Sequence, residues 1–179
     1  MKFELQKSFV SNSYEWTANS LADSPMFREL CGTESENMTR RRIHVDTFPI
    51  APIFGEEYVK GEIEKILPCA IICTSGCGSS FGKEEVGNKS YQDKGRIAVS
   101  LYIPVPDEYV VKTEVTTEGI LIIESIAAKI VSDMEREIKI GGKQYLYFDS
   151  CRIAGTAVNP PKQQANAGTI AVVDMEFNY

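Results

Sequence analysis

Residues 117–138 carry apolar side chains at spacings of three and four, and this segment constrains the fold more than any other. Its apolar stripe is formed by Ile123, Ile126, Ala127, Ile130, Met134 and Ile138. A period of this kind predicts one long amphipathic helix that buries a single side. Gly141 and Gly142 follow, and glycines at this position are typical of a helix end.

Strand patterns flank this helix on both sides. In residues 96–103, Ile97, Val99, Leu101 and Ile103 alternate with smaller or more polar residues, which predicts a strand. Further strands are predicted at residues 43–45, 67–74, 144–148, 151–158 and 169–179. In the last of these the side chains that face one way are Ala171, Val173, Met175, Phe177 and Tyr179. The order predicts an α+β fold, a mainly antiparallel sheet packed on one long amphipathic helix plus short N-terminal helices.

The N-terminal region predicts two short helices. Asn12 or Ser13 is the expected N-cap of the first. Ser24 and Pro25 match the N-cap and N1 positions of the second, and Gly32 is expected to end it.

Two polar stretches interrupt the pattern within what we expect to be a single domain spanning residues 1–179. Residues 75–95 hold five glycines and mixed charges, so they predict either the tip of a β-hairpin or a mobile loop. Residues 159–168 form a second long polar loop. Residues 33–61 form a long segment, in which residues 33–39 are expected to be a polar link and residues 48–61 an irregular connection.

Composition excludes several classes of protein. The net charge is −6, from 19 Lys and Arg against 25 Asp and Glu, which disfavours a dedicated nucleic-acid binder. The basic run Arg40, Arg41 and Arg42 is therefore interpreted as a solvated or interface patch rather than a nucleic-acid contact. No apolar run is long enough to span a bilayer, and the first residues lack a secretory h-region. We expect a chain that is made in the cytoplasm and stays soluble.

Residues that carry chemistry are sparse. His44 is the single histidine, and its neighbours Ile43 and Val45 favour a packed or surface role. Residues 76–83 resemble a phosphate loop, but Glu84 stands where the magnesium-binding hydroxyl belongs. Cys69, Cys73 and Cys77 are spaced by four, too far apart along a strand to share one zinc. We therefore expect no catalytic centre, no cofactor and no metal, so the chain is predicted not to be an enzyme.

Four segments together resemble a known family. They read ILPCAIICTSG, GRIAVSLYIPVP, TEGILIIESIAAKIVSDMERE and GTIAVVDMEFNY. The order of these segments and their pattern of apolar and polar residues resemble those of the tail terminator (tail completion) proteins of long-tailed phages and of prophage-derived tail-like particles. The resemblance covers residues 12–179 and rests on element order, since the family has no short diagnostic motif.

The resemblance implies a virion protein that forms a hexameric ring. Such a ring caps the tail tube, stops its polymerisation and joins it to the neck or connector protein. DNA would pass through the lumen of the ring without specific binding. The net negative charge of the chain agrees with this, because acidic walls do not hold a polyanion. A neck adaptor or stopper protein is the alternative. A small metal- or ligand-binding domain is a more distant one.

The sequence pattern and the resemblance to tail terminator proteins together suggest candidate contact residues. Met175, Phe177 and Tyr179 are predicted to be buried in the sheet or at a subunit contact, because terminal residues fray unless they are held. Deleting residues 177–179 should then abolish folding or ring formation, and normal rings from the truncated chain would contradict the idea. Arg40, Arg41 and Arg42 are the other candidate subunit or tail contacts.

Overall fold

A computed structural model of the chain describes residues 7–46, 66–87, 90–112, 114–134, 138–140, 144–146, 150–159 and 169–179. Its helices are α1 (Phe9–Asp23), α2 (Pro25–Cys31), α3 (Glu36–Arg40) and α4 (Thr117–Met134), with a 3₁₀ turn at Asp107–Tyr109. Its strands are β1 (Ile43–Val45), β2 (Cys69–Ile72), β3 (Ser80–Val86), β4 (Ser90–Val105), β5 (Val110–Val111), β6 (Glu114–Val115), β7 (Ile138–Ile140), β8 (Gln144–Leu146), β9 (Ser150–Asn159) and β10 (Thr169–Asn178). The fold is α+β, as the sequence predicts.

A six-stranded sheet organises the fold. Its strand order is β1-β2-β4-β10-β9, and β3 pairs with the first part of β4. The pair β1–β2 is parallel and all other pairs in this sheet are antiparallel. Strand β4 is central because its 16 residues pair with β2 and β3 along one edge and with β10 along the other.

The main core lies between one face of this sheet and the helices. The buried residues of β4 and β10 alternate, so that Ile97, Val99 and Leu101 lie beside Phe177, Met175 and Val173. Leu21 of α1, Phe27 of α2 and Ile130 of α4 complete this core. Each fully buried large apolar side chain of this kind contributes about 1.5–3 kcal/mol. The alternation predicted for residues 169–179 is therefore confirmed.

The opposite face of the sheet carries a smaller apolar cluster. It consists of Leu67, Cys69, Ile71 and Ile170, with Ile66 and Tyr102 partly buried against it. Alongside it lie polar side chains: Ser100 donates a hydrogen bond to Asp174, at 2.6 Å. This face therefore combines an apolar region with an acidic one.

The helix ends agree with the sequence in α2 and differ in α1. Ser24 caps α2 with its hydroxyl on the Phe27 amide, and Gly32 ends it in the left-handed region at φ +60°. The N-cap of α1 is Ser8 rather than Asn12 or Ser13, because Ser8 and Ser11 form a reciprocal capping box. That prediction was wrong by one turn.

The long helix is shorter than its stripe suggests. Helix α4 ends at Met134, and Ile138 belongs to β7 instead of the helix. The buried residues Ile123, Ala127 and Met134 match the predicted stripe. Gly141 and Gly142, the predicted stop, lie outside the described residues. Helix α1 is 15 residues long, so α4 is not the single long helix of the fold.

The polar stretch 75–95 is a β-hairpin, which was one of the two expectations for it. Strand β3 pairs with the first residues of β4 in a regular antiparallel register from Ser80↔Arg96 to Val86↔Ser90. In the other polar stretch, Asn159 ends β9, and residues 160–168 lie outside the described residues.

Candidate assembly surfaces

The hairpin of β3 and residues 90–95 of β4, here called the hairpin arm, lies outside the core. All residues of β3 except the half-buried Phe81 are exposed, as are residues 90–94 of β4. Tyr91 is 65% and Val86 50% exposed. A two-stranded ribbon of this kind is marginally stable by itself. The arm is therefore a surface whose side chains contribute little to the core of its own chain.

Ion pairs hold the two strands of the arm together. Lys94 Nζ lies 2.6 Å from Glu84 Oε2, and Lys83 Nζ lies 3.9 Å from Asp93 Oδ1. All four side chains are at least half exposed. Each pair therefore contributes at most about 1 kcal/mol to stability.

Aromatic packing fixes the base of the arm. The ring of Phe81 makes edge contacts with Phe9, at a centroid distance of 6.3 Å, and with Tyr14, at 5.4 Å. Gly95 is the cross-strand partner of Phe81. A Cβ at Gly95 would lie 2.9 Å from the Phe81 ring, so any other residue at this position would force the ring to shift.

The two sides of β4 differ along the arm. On the side of β4 that faces β10, the pairing extends as far as Gly95 and Tyr179. The main chains of these two residues exchange hydrogen bonds of 2.9 and 3.3 Å. Main-chain groups alternate between the two sides of an antiparallel strand. The N–H and C=O groups of Tyr91 and Asp93 therefore point toward this side, where no described strand pairs with them.

An open groove of about 510 Å³ lies at the base of the arm, beside Tyr179. Its basic lining residues are already engaged. Lys94 pairs with Glu84, and Arg96 bonds to Glu176 at 3.3 Å and to the Gly78 carbonyl at 3.2 Å. The groove therefore presents mainly main chain and aromatic surface rather than a vacant anion site.

The predicted contact residues near the chain end lie inside the protein. Met175 and Phe177 have no exposed surface, which makes them core residues of the sheet rather than partner contacts. Tyr179 is half-buried, and its ring packs edge-on against Trp16 at 5.4 Å. Burial in the sheet was one of the two roles predicted for these residues.

The basic run divides between solvent and core. Arg40 and Arg41 are exposed, whereas Arg42 is half-buried and donates to the Leu67 carbonyl at 3.1 Å. Although Arg40 is exposed overall, partial desolvation by the surrounding protein lowers its pKa, and the charges of Glu15 and Glu36 partly offset this effect. Arg40 and Arg41 therefore remain available as contacts, whereas Arg42, the residue before β1, binds the main chain two residues before β2.

The cysteines and the histidine named from the sequence differ in burial. Cys69 is buried, Cys73 half-buried and Cys77 exposed. His44 is half-buried, and burial together with the charge of Arg42 lowers its pKa. Within the described ranges, no three His, Cys, Asp or Glu residues group as a metal site.

Asp46, which the sequence did not single out, closes the end of β1. At φ +58° it accepts hydrogen bonds from the Thr74 amide at 2.8 Å and from the Thr74 hydroxyl at 2.9 Å. These bonds hold the pKa of Asp46 below its usual value. Its role is to join the ends of two strands.

One further apolar surface lies on the outer side of α4, where Leu121 is 61% and Ile122 36% exposed. None of the described helices combines the length and apolar character that crossing a membrane requires. No protein-family model matches the chain, and no curated protein matches it.

Proposed function

We propose that the chain is a structural subunit of a phage tail or tail-like particle. In this role copies form a hexameric ring that caps the tail tube, stops its polymerisation and joins it to the neck or connector protein. The observation that supports this most is the hairpin arm, a regular extension of the central strand whose side chains, apart from the half-buried Phe81 at its base, are exposed from Ser80 to Lys94 where the structure describes them. Exposed extensions of this type are typical of proteins that complete their packing by assembly.

The outer face of the sheet fits a channel that DNA traverses. Asp174 is exposed and accepts a hydrogen bond from Ser100, and Glu176 lies two residues further on the same face. The nearby Arg96 is paired with Glu176 at 3.3 Å. Because acidic side chains outnumber unpaired basic ones among these residues, this face would not bind a polyanion, and DNA could pass along it.

Arg40 and Arg41 are the proposed contacts with the tube or with a neighbouring subunit. Both are exposed at the end of α3. This proposal assigns no catalytic step, cofactor or metal to the chain, and its setting is the assembled virion.

Assembly in the presence of the tube protein tests the role. The chain would be added to polymerising tail tube protein from the same genome, and tube lengths measured by electron microscopy. We expect shorter tubes with a ring at one end, and a six-copy species in native mass spectrometry. Tubes of unchanged length without end rings would contradict the proposal.

Two further measurements separate the alternatives. A pull-down against separated heads and tails should capture tails, whereas capture of heads would indicate a neck adaptor or stopper. Metal analysis of the purified chain should find no stoichiometric zinc or iron. A stoichiometric metal would instead support a small metal-binding domain.

A further inference from the structure

Residues 73–79 join two strands, β2 and β3, that follow one another along the same edge of β4. The Cys73 amide donates to the Ala98 carbonyl at 2.9 Å, and the Ala98 amide donates to the Ser79 hydroxyl at 3.0 Å. The Ser79 hydroxyl in turn donates to the Cys73 carbonyl at 2.5 Å. Cys73 and Ser79 therefore lie side by side, and residues 74–78 form a small loop that leaves the edge of the sheet between them.

Main-chain hydrogen bonds turn this loop back on its own start. The Thr74 carbonyl accepts from the Cys77 amide at 2.9 Å and from the Ser79 amide at 3.2 Å. The first of these bonds is that of a β-turn, in which the Cα atoms of residues 74 and 77 are less than about 7 Å apart. Gly78 allows the chain to return, because its φ of +133° is one that residues with a side chain rarely adopt. Cys77 is therefore held close to the start of the loop, which directly follows Cys73.

The side chains of the two cysteines also meet at this loop. Cys77 is exposed, and its thiol is hydrogen-bonded to the carboxylate of Asp46, which accepts the amide and the hydroxyl of Thr74 as well. The half-buried Cys73 lies within electrostatic range of both Asp46 and Cys77. Asp46 therefore directs the Cys77 thiol toward the start of the loop. A disulfide requires Cα atoms about 4.4–6.8 Å apart, and a five-residue loop closed at its base provides such a separation.

We propose that Cys73 and Cys77 are a redox-controlled modification site, and that their disulfide holds this loop closed where the hairpin arm begins. The oxidant is a small disulfide such as oxidised glutathione. The Cys77 thiol loses its proton, its sulfur attacks one sulfur of the oxidant, and one glutathione thiolate leaves. The Cys73 thiol then loses its proton, and its sulfur attacks the Cys77 sulfur of this mixed disulfide and expels the second glutathione thiolate. The two thiolates take up the two protons, so two electrons pass from the protein to the oxidant.

Exposure sets the order in which the two cysteines react. Cys77 meets the oxidant first because it is exposed, whereas Cys73 is half-buried and burial raises its pKa. Cys73 therefore reacts with the sulfur that is already beside it rather than with an oxidant from solution. A reducing cytoplasm keeps both thiols reduced, so the bond forms when the chain enters an oxidising medium. This chemistry belongs to the single chain and is independent of the proposed tail role.

The chain contains its own matched control for this pairing. Cys69 and Cys73 have the same sequence spacing as Cys73 and Cys77, but Cys69 is buried within β2. The folded chain treated with oxidised glutathione should lose two thiols and gain the 73–77 bond alone, whereas in urea the 69–73 bond should form as well. Alkylation of the remaining thiols and peptide mass spectrometry identify the bond. A folded chain that keeps all its thiols, retains glutathione on Cys77, joins Cys69 or dimerises through Cys77 would overturn the proposal.

Single variants separate the roles of the cysteines. Cys73→Ser should retain glutathione on Cys77, because the thiol that expels it is missing, and Cys77→Ser should leave Cys73 largely unmodified. Cys69→Ala is the control and should still lose two thiols. In the wild-type chain, oxidation should slow amide hydrogen exchange in residues 74–79 several-fold, and a reducing agent should restore the original rate. Loss of two thiols in the Cys77→Ser chain, or exchange that oxidation leaves unchanged, would contradict a disulfide that closes this loop.

Discussion

The hydroxyl of Tyr179 contacts the hydroxyl of Thr17, joining the end of β10 to the middle of α1. Thr17 already donates its one proton to the Ser13 carbonyl at 2.7 Å, so Tyr179 is the donor and Thr17 the acceptor. The Tyr179 main chain also exchanges hydrogen bonds with Gly95. One residue therefore connects the first helix, the last strand and the base of the hairpin arm.

Tyr179→Phe should destabilise the chain by about 0.5–1.5 kcal/mol, because it removes this hydrogen bond while leaving the ring on Trp16. Thr17→Val is the matched change on the acceptor side and should cost a similar amount. Urea denaturation of both single variants and the double variant measures the coupling between them. Additive effects in this cycle would show that the contact contributes nothing.

Alkaline pH should destabilise the chain through two buried thiols. Burial raises the pKa of Cys31 and of Cys69 to about 12, against an ordinary value of about 8.5. The folded state therefore keeps its protons more tightly than the unfolded state. The stabilisation is fully present below about pH 8.5 and decreases, by up to about 1.4 kcal/mol per pH unit for each thiol, as the pH rises toward 12.

Denaturation at a series of pH values tests this slope. Cys31→Ala and Cys69→Ala should each flatten the decrease between about pH 9 and 12. Cys77→Ala is the control, because Cys77 is exposed. Burial also raises the pKa of Tyr179, so some slope should persist in both variants. An unchanged slope in the two core variants would contradict the prediction.

Asp133 of α4 should contribute more to stability than a surface carboxylate. It accepts hydrogen bonds from the Ser24 hydroxyl at 2.8 Å and the Met26 amide at 3.1 Å, which fastens the start of α2 to α4. Burial acts to raise its pKa, but these bonds and Lys129 hold it below the usual value. This stabilisation is present above about pH 4 and is lost as the pH falls below that value.

Asp133→Ala should therefore cost about 1–3 kcal/mol at neutral pH, since two donors lose their acceptor. Lys129→Ala removes only the exposed end of the Lys129–Asp133 pair and should cost under about 0.5 kcal/mol. Chemical denaturation at pH 7 and pH 3 measures both. Equal costs for the two variants at pH 7 would show that the contact with α2 is not the source of the stabilisation.

The sequence was sufficient to predict a helix or strand where only one face of that element is buried. Val173, Met175 and Phe177 alternate with more polar residues because the helices cover only one side of β10, and the same asymmetry marks Ile123 and Ala127 in α4. The stripe cannot by itself show where the helix stops. Ile138 continues the spacing of three and four, yet it lies in β7, because an isoleucine suits either element.

The hairpin arm could not be predicted with the same certainty, because neither of its faces is buried. Without a buried face the polar residues 82–94 show no alternation, and a loop and a ribbon have the same composition. The available signal was the Gly87-Asn88 pair between two strand-compatible runs, which is typical of a hairpin turn. The direction of the main-chain groups at Tyr91 and Asp93 depends on the pairing of Gly95 with Tyr179, which no local pattern contains.

Gly95 should be essential to the position of the arm. An added Cβ would lie 2.9 Å from the Phe81 ring and 3.2 Å from the Phe9 ring, so Gly95→Ala must push these aromatic side chains apart. We expect a loss of about 1–3 kcal/mol and faster amide hydrogen exchange throughout β3. Gly82→Ala on the neighbouring strand is the matched control, since nothing lies within 4 Å of its added Cβ, and its effect should stay within about 0.5 kcal/mol. Phe81→Leu combined with Gly95→Ala should recover part of the loss, because the smaller side chain leaves space for the methyl group. If Gly95→Ala and Gly82→Ala behave alike, the aromatic base does not hold the arm.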